Sequence, residues 1–427
     1  MEPAAPAVNA EALRAALVET LRARGRLQSP AIAAAFAQVP RHLFVPDVSL
    51  DEASRDTFIA TKRQPDGEVI SSSSQPEIMA IMLEQLDLRP GQRVLEIGAG
   101  TGYNAALLAR VVGDGGRVTT LDLDDDIVAG ARAHLAAAGV TGVRVICVDG
   151  WAGCVEAAPF DRIILTVGAH DISPTWRAQL APGGRLVLPL GLPAVQASVA
   201  FAERDGILKS VSVRPCQFMR LRGSAAVPMR PEPVGPAPAP GVWLRAGHAM
   251  DGAAVHALLQ APARTRATGL SAQGRELYAG LIAWVGLHEP TSGWFVAQGE
   301  ARAAGLVPSF VGDGVEAMAT YGLFEPGGVA LLVRLEPPPD ADGGIAIGVR
   351  VHGEATLGER LLATTLAWNE AGRPDVERLR IRAYPTEAPY EPQPQEIVLT
   401  RPCTRLVLEW APSQLLGAEL ADRSSGP

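Results

Sequence analysis

Val94-Leu95-Glu96-Ile97-Gly98-Ala99-Gly100-Thr101-Gly102 is the stretch that decides the fold. A short apolar run ends in spaced glycines and leads into Tyr103-Asn104-Ala105-Ala106-Leu107-Leu108. That order predicts a strand, a tight glycine turn and the start of a helix. Glycines at such a turn let the backbone approach a ligand closely, and the amides that open a helix favour anionic groups. Outward from this point, strand-like and helix-like segments alternate: RVTTLDL from 117, DIVAGARAHLAAAG from 126, VRVICVDG from 143, FDRIILTVGA from 160, PTWRAQLAPGG from 174 and RLVLPLG from 185. Alternating units of this length imply an α/β fold, with a parallel sheet covered on both faces. Two more strands are expected near 196–203 and 207–217.

Upstream, Leu13, Leu17 and Leu21 recur every four residues and predict a helix over 10–25. Ser29-Pro30 reads as a cap followed by proline at the first helical position, with Ile32, Phe36 and Val39 on the buried face. Residues 47–70 are polar and irregular, which suggests a surface loop or lid. A helix around 76–87 carries Ile78, Met79, Met82, Leu83 and Leu86. Downstream, VPMRPEPVGPAPAPG (227–241) holds six prolines and reads as a semi-rigid linker, partly polyproline II. Residues 1–225 then form the first domain, 226–241 the linker and 242–417 an accessory α+β domain. The tail 418–427 is expected to be disordered.

The chain has 427 residues and a formal net charge of -8, which argues against a sequence-independent grip on nucleic acid. Lys62 and Lys209 are the only lysines; every other basic residue but histidine is arginine. Cys147, Cys154, Cys216 and Cys403 are scattered, with no zinc spacing, so a reduced, cytoplasmic protein without metal is the simplest expectation. The N-terminus lacks the basic and apolar regions of a signal peptide. No run of ~20 apolar residues predicts a membrane span. The oligomeric state is not legible.

Two ligands suit the glycine turn, a dinucleotide and S-adenosylmethionine. Glu96, two residues before the first glycine, favours the second: a carboxylate there can hold an ammonium and would repel a pyrophosphate. Asp122 ends the next strand, 20 residues after Gly102, where a ribose diol is gripped. Asp149 follows the third strand and suits an adenine amino group. Trp151 either flanks the adenine or packs against the sheet. The candidate cofactor set is Glu96, Gly98, Ala99, Gly100, Thr101, Tyr103, Asn104, Asp122, Leu123, Asp149, Gly150 and Trp151.

Residues 10–223 resemble the protein-L-isoaspartate O-methyltransferase family. The likeness rests on RGRLQSPAIAAAFAQVPRHLFVP, SSQPEIMAIMLEQL, VLEIGAGTGYNAALLA, APFDRIILTVGA and LAPGGRLVLPLG. It implies a class I S-adenosylmethionine-dependent methyltransferase fold, Rossmann-like and doubly wound. It also implies transfer of a methyl group to a polypeptide carboxylate. The family carries a Thr-Ile-Ser-type segment at the substrate carboxylate, matched here by Ser72, Ser73 and Ser74. The outer hydroxyls are retained, and Ser73 replaces an apolar residue. Ser74 also begins a Ser-x-x-Glu pattern with Glu77, a capping box compatible with catalysis. A long C-terminal extension resembles the actinobacterial branch associated with ribosomally made, modified peptides. That branch implies methylation of an aspartate in a precursor peptide and collapse of the ester to aspartimide. The alternative is repair of isoaspartyl residues in damaged polypeptides. His42 and His170, near these loops, read as packing or surface residues. Trp243, Trp284, Trp294, Trp368 and Trp410 read as core of the extension rather than a binding stripe.

Overall fold

A computed structural model describes residues 9–65, 67–227, 231–235, 241–247, 251–310, 318–336 and 344–412. The chain opens with α1 (Ala10–Ala23) and α2 (Pro30–Gln38). Leu17, Val18 and Leu21 of α1 are buried, and Ser29 caps α2 as its spacing predicts. The segment read as an irregular loop is ordered instead. It holds the single turn α3 (Leu50–Ala53) and an antiparallel hairpin of β1 (Ile59–Arg63) and β2 (Val69–Ser73). Polar strands hide the signal, because only Val45, Ala53 and Ile59 form a small core beneath the hairpin.

Helix α4 (Pro76–Leu86) follows, and the expected capping box is absent. Gln75 is its N-cap and makes no side-chain cap bond. The Glu77 carboxylate pairs with Arg24 and Arg26, while Asp56 Oδ1 accepts from the Glu77 amide at 2.8 Å. A carboxylate from the neighbouring loop thus takes over the cap.

Next come β3 (Arg93–Ile97), α5 (Tyr103–Val112), β4 (Arg117–Asp122), α6 (Asp125–Ala137), β5 (Val143–Cys147), β6 (Phe160–Leu165), α7 (Pro174–Gln179), β7 (Leu180–Gly191), β8 (Gln196–Arg204) and β9 (Ile207–Cys216). Strands β5, β4, β3, β6 and β7 lie side by side in that order and run parallel. Strands β8 and β9 add antiparallel. The order reverses at β3, whose two neighbours are β4 and β6. Ligands sit beyond the carboxyl ends of strands at such a switch point.

The remainder holds β10 (Glu232–Val234), β11 (Val242–Ala246), α8 (Gly252–Gln260), β12 (Ala263–Ala272), α9 (Ala283–His288), β13 (Ser292–Ala297), α10 (Gly299–Ala303), β14 (Met318–Glu325), β15 (Gly328–Leu335), β16 (Ile345–Gly353), α11 (Ala355–Glu370), β17 (Leu379–Pro385), β18 (Ile397–Thr400) and β19 (Thr404–Trp410). A second, antiparallel sheet has the order β10-β11-β13-β14-β15-β16-β12. Part of the proline-rich segment is its edge strand. Pro233 lies opposite Trp243 there, and an edge tolerates the missing N–H. Residues 228–230 and 236–240 of the expected linker, and the whole tail 418–427, lie outside the described residues.

The expected boundary at 242 does not divide the packing. Strands β17, β19 and β18 leave the second sheet and extend the first, through Arg382 opposite Lys209 and Ala383 opposite Leu208. They cover the edge that β9 would otherwise expose. Alternating hydrophobicity identifies a strand but not the edge it joins. One hydrophobic core runs from Leu95 and Phe201 of the first sheet to Leu361 and Trp368 of α11 and Leu408 of β19. At one contact a Cβ on Gly286 would lie 2.4 Å from Ala194 Cβ, so α9 packs directly on the turn before β8.

Candidate active site

A cavity of about 780 Å³ opens beyond the ends of β3 and β4. One wall is the glycine turn: Gly98, Ala99, Gly100, Thr101, Tyr103 and Asn104. Gly98 and Gly100 have φ of +101° and +49°, in the region that side chains disfavour. A Cβ on Gly98 would lie 2.5 Å from Thr166 Oγ1, and one on Gly100 would lie 3.2 Å from the Ser72 carbonyl oxygen. The turn therefore threads between the end of β6 and the serine strand β2, with no room for side chains.

Asp122, Leu123 and Gly150 extend this wall. Asp122 Oδ2 accepts from the Gly100 amide and Oδ1 from the Leu123 amide, both at 2.9 Å. Burial raises the Asp122 pKa, and these two amides oppose the shift. A carboxylate has about four lone-pair positions, so two bonds leave acceptor capacity for a diol.

Three expected ligand residues stand behind the wall rather than on it. Glu96 is fully buried, and its Oε1 accepts from Asn104 Nδ2 at 2.7 Å. Burial pushes its carboxyl up to about 7 against that bond, and Oε2 has no hydrogen-bond partner. Glu96 therefore orients Asn104, which does line the cavity. Asp149 accepts from the Trp151 amide at 2.9 Å and the Ser224 amide at 2.7 Å. It fixes the turn that presents Gly150. The Trp151 ring stands edge-on to buried Trp176, with centroids 5.1 Å apart, and the Trp151 carbonyl accepts from Ser173 Oγ.

The facing wall contains Ser71, Ser72, Ser73 and Ser74. Strand alternation buries Ser71 and Ser73 and leaves Ser72 and Ser74 half-buried. Ser71 Oγ accepts from Thr61 Oγ1 at 3.0 Å, and Ser73 Oγ accepts from Arg41 Nε at 3.2 Å. Among the described residues the Ser72 and Ser74 hydroxyls have no protein partner, so both are free for a ligand.

Sequence reasoning missed Arg41. Its buried guanidinium donates to the carbonyls of Ala53, Arg55, Thr57, Ser73 and Ser74 as well as to Ser73 Oγ. It also lies 6.0 Å from the Tyr103 ring centroid, and so links the serine strand to the helix that follows the glycine turn. The available signal was an arginine inside a run of apolar residues near Phe44. Thr166 was missed as well; its Oγ1 donates to the Gly98 carbonyl at 2.6 Å and pins the turn. Trp243, expected in the core, lines the cavity with Arg245, Arg220 and Arg222.

A model of the protein-L-isoaspartate(D-aspartate) O-methyltransferase family matches residues 12–226, half of the chain. The chain belongs to this family. It is 42% identical to the protein-L-isoaspartate O-methyltransferase of Methanopyrus kandleri, over 49% of this chain and 91% of the relative. It is 40% identical to that of Hyperthermus butylicus, over 49% of this chain and 88% of the relative. A solved structure of a protein-L-isoaspartate O-methyltransferase aligns at 26% identity over 86% of this chain and 96% of the other, with a TM-score of 0.48.

This isoaspartate methyltransferase is thus an S-adenosylmethionine-dependent carboxyl methyltransferase of mixed α/β fold, with an added β-rich region. The cavity fits that cofactor. The glycine turn lines it with backbone at positive φ that has no room for side chains, Asp122 keeps acceptor capacity, and Asn104 presents a side chain held from behind. Among the described residues no helix is long and apolar enough to cross a membrane, and no group of three or more side chains is placed to hold a metal.

Proposed function

We propose that this enzyme methylates the free carboxylate of an L-isoaspartyl residue in a polypeptide. The carrying observation is the approach of the two walls. The Ser72 carbonyl lies 3.2 Å from where a Gly100 Cβ would be, with the unpaired hydroxyls of Ser72 and, just past the strand's end, Ser74 beside it. A carboxylate held by Ser72 and Ser74 therefore sits over the cofactor turn.

The proposed chemistry needs little from the chain beyond placement. A substrate carboxylate has a pKa of about 4 and is ionised at neutral pH, so no general base is required. S-adenosylmethionine, when bound, supplies an electrophilic methyl group on a cationic sulfur. The serine hydroxyls donate to one carboxylate oxygen and leave the other free to attack. The apolar neighbours Met79, Val167 and Phe218 limit water in the cavity, which strengthens electrostatic interactions between the reactants. No proton moves on the enzyme. Arg41 acts as a positioning residue by fixing the strand that carries the hydroxyls.

A second reading has its own support: an ordinary aspartate of a ribosomally made precursor peptide is methylated, and the ester collapses to aspartimide. Ser73 stands where the family pattern is apolar and turns its hydroxyl to Arg41. Trp243 and Arg245 bring the added region into the cavity wall, which offers surface to read one particular partner. In the collapse, the next residue's amide nitrogen attacks the ester carbonyl and methanol leaves, without an enzyme group. The test is mass spectrometry on a generic L-isoaspartyl hexapeptide and, in parallel, on small precursor peptides encoded nearby. Methylation of the hexapeptide supports the first reading. A neighbouring peptide that gains one methyl and then shows net loss of water, with the hexapeptide unchanged, overturns it in favour of the second.

A further inference from the structure

The parallel sheet has a second cavity at its other end, which shares no lining residue with the first. Its origin is a missing helix. The crossovers β3–β4, β4–β5 and β6–β7 contain α5, α6 and α7. The β5–β6 crossover holds only two single 3-10 turns, Gly150–Ala152 and Val155–Ala157. Val118 and Val145 face the core that α5 and α6 cover, while Leu95, Leu121 and Ile163 face the opposite one. On that opposite face no helix of the crossover covers the amino ends of β4 and β5, and a cavity of about 310 Å³ opens there.

Three arginines from three adjacent strands line it: Arg93 of β3, Arg117 of β4 and Arg144 of β5. The register puts them on one face. Arg93 pairs with Arg117 and Thr119 with Arg144, and Thr119 lies two residues beyond Arg117 on the same strand. In-register partners on neighbouring strands have backbones about 4.8 Å apart, and like charges so placed repel. The chain as a whole is acidic, with a net charge of -8, so this concentration of positive charge is not a general feature of its surface.

Each guanidinium is tethered through one nitrogen. Arg93 Nη2 donates to the Ala157 and Ala158 carbonyls, and Arg117 Nη1 to those of Asp114 at 2.9 Å and Gly116 at 2.6 Å. Arg144 Nη2 pairs with the exposed Glu156 at 3.2 Å. Asp161 Oδ2 accepts from the Arg93 backbone amide at 2.7 Å, not from its side chain. Among the described residues Arg93 and Arg117 therefore pair with no carboxylate, and each keeps several of its five N–H donors. Thr119 supplies an independent sign of a ligand. It is only 5% exposed, it lines the cavity, and its hydroxyl has no hydrogen-bond partner among the described residues. A buried hydroxyl left without a partner is costly unless something in the cavity meets it.

We propose that this cavity binds the phosphate group of a small phosphate ester, outside the methyl-transfer site. A tetrahedral dianion presents several oxygens at once, and so meets guanidiniums from three strands together with a hydroxyl. Free phosphate fills only part of the space, whose volume falls in the range of small-molecule sites, about 300–1,000 Å³. Arg117 and Asp122 stand at opposite ends of β4, about 17 Å apart by strand rise, so the two cavities are separate.

Calorimetry on the full-length protein, with S-adenosylhomocysteine added to occupy the first cavity, tests this with glycerol 3-phosphate, inorganic phosphate and glycerol. Glycerol 3-phosphate should bind at one site per chain, inorganic phosphate more weakly, and glycerol not at all. Arg93→Gln and Arg117→Gln should each weaken the ester about tenfold, as for a lost charge-assisted contact. Thr119→Val keeps shape and charge and should weaken it about threefold. Affinity for S-adenosylhomocysteine, measured separately, should stay within about twofold in all three variants. No heat from either phosphate overturns the site. So does a loss in the arginine variants that Thr119→Val does not share, because diffuse surface charge then attracts the anion. If inorganic phosphate binds as tightly as glycerol 3-phosphate, the ester is overturned as the occupant.

Discussion

One wall of the cavity is built around a single continuous piece of chain, while the wall it faces is assembled from four separate ones. Residues 96–104 make most of the cofactor side: a strand end, three glycines and the start of α5. The substrate side needs Arg41, the serine strand 71–74, the segment 218–222 and β11. The first wall gets its shape from local backbone geometry, since glycines at positive φ can only turn one way in so tight a space. The second gets its shape from long-range hydrogen bonds, and Arg41 alone ties five carbonyls and the Ser73 hydroxyl to one guanidinium plane. Damage to the two walls should therefore read out differently, in cofactor affinity for one and in fold or turnover for the other.

Gly100→Val should have the largest effect. It puts a branched side chain at φ +49°, against the Ser72 carbonyl, and so displaces the turn that lines the cavity. Cofactor binding by calorimetry should fall beyond detection while the circular dichroism spectrum is retained. An unchanged dissociation constant would place the cofactor elsewhere. On the facing wall, Arg41→Ala leaves several buried carbonyls without a donor. At about 1–3 kcal/mol for each group left unpaired, partial rearrangement still leaves a loss of about 3 kcal/mol or more in denaturant unfolding. A drop in turnover with no change in stability would remove Arg41 from its positioning role.

Ser72→Ala and Ser74→Ala come next. Each removes one donor to the substrate carboxylate, worth about 1.5–3 kcal/mol for a bond to a charged group, or about 10- to 100-fold in turnover. Affinity for the cofactor should stay within about twofold, because neither hydroxyl has a partner in the glycine turn. Ser73→Ile should act more weakly on turnover, since its hydroxyl faces Arg41 rather than the cavity. Its informative readout is the ratio of isoaspartyl to aspartyl methylation. An unchanged ratio would separate Ser73 from substrate choice.

The asymmetry between the walls also explains what could be read in advance. The glycine turn, Asp122 and the β/α alternation are short-range patterns, and the cavity is where they imply. Ser72 and Ser74 were legible by resemblance, but not the strand that splits their hydroxyls from that of Ser73. An arginine within an apolar run marks Arg41 as unusual but not its role, because all but one of its acceptors are backbone oxygens, which carry no residue identity. Strands β17 and β19 were legible as strands, yet nothing in LRIRAYP or TRLVLEW names β9 as the edge they cover. For the same reason, removing 242–427 does not simply subtract a recognition module. It uncovers β9 and removes one side of the shared core, so point variants are the cleaner probe.

Glu96→Gln tests the finest distinction, between a residue on the cofactor wall and one behind it. The sequence suggests that Glu96 holds an ammonium directly, whereas the structure places its carboxylate against Asn104 Nδ2 at 2.7 Å and away from the cavity. A glutamine oxygen still accepts that bond, so cofactor affinity should stay within about threefold, as for a bond kept and a charge not used. A loss beyond about tenfold would mean that the charge itself reaches the ligand. The same variant has a signature in stability. Burial raises the native carboxyl to about 7, above its unfolded value of about 4.3. The folded state then keeps a proton that the unfolded chain releases, so this contribution is full below about pH 4 and is lost as pH rises through about 7. Glutamine does not titrate. The stability of Glu96→Gln relative to the wild type should therefore grow between about pH 4 and 7 and then level off, by up to about 4 kcal/mol. A difference independent of pH would mean that Glu96 is already ionised in the fold and balanced by a charge that the cavity supplies.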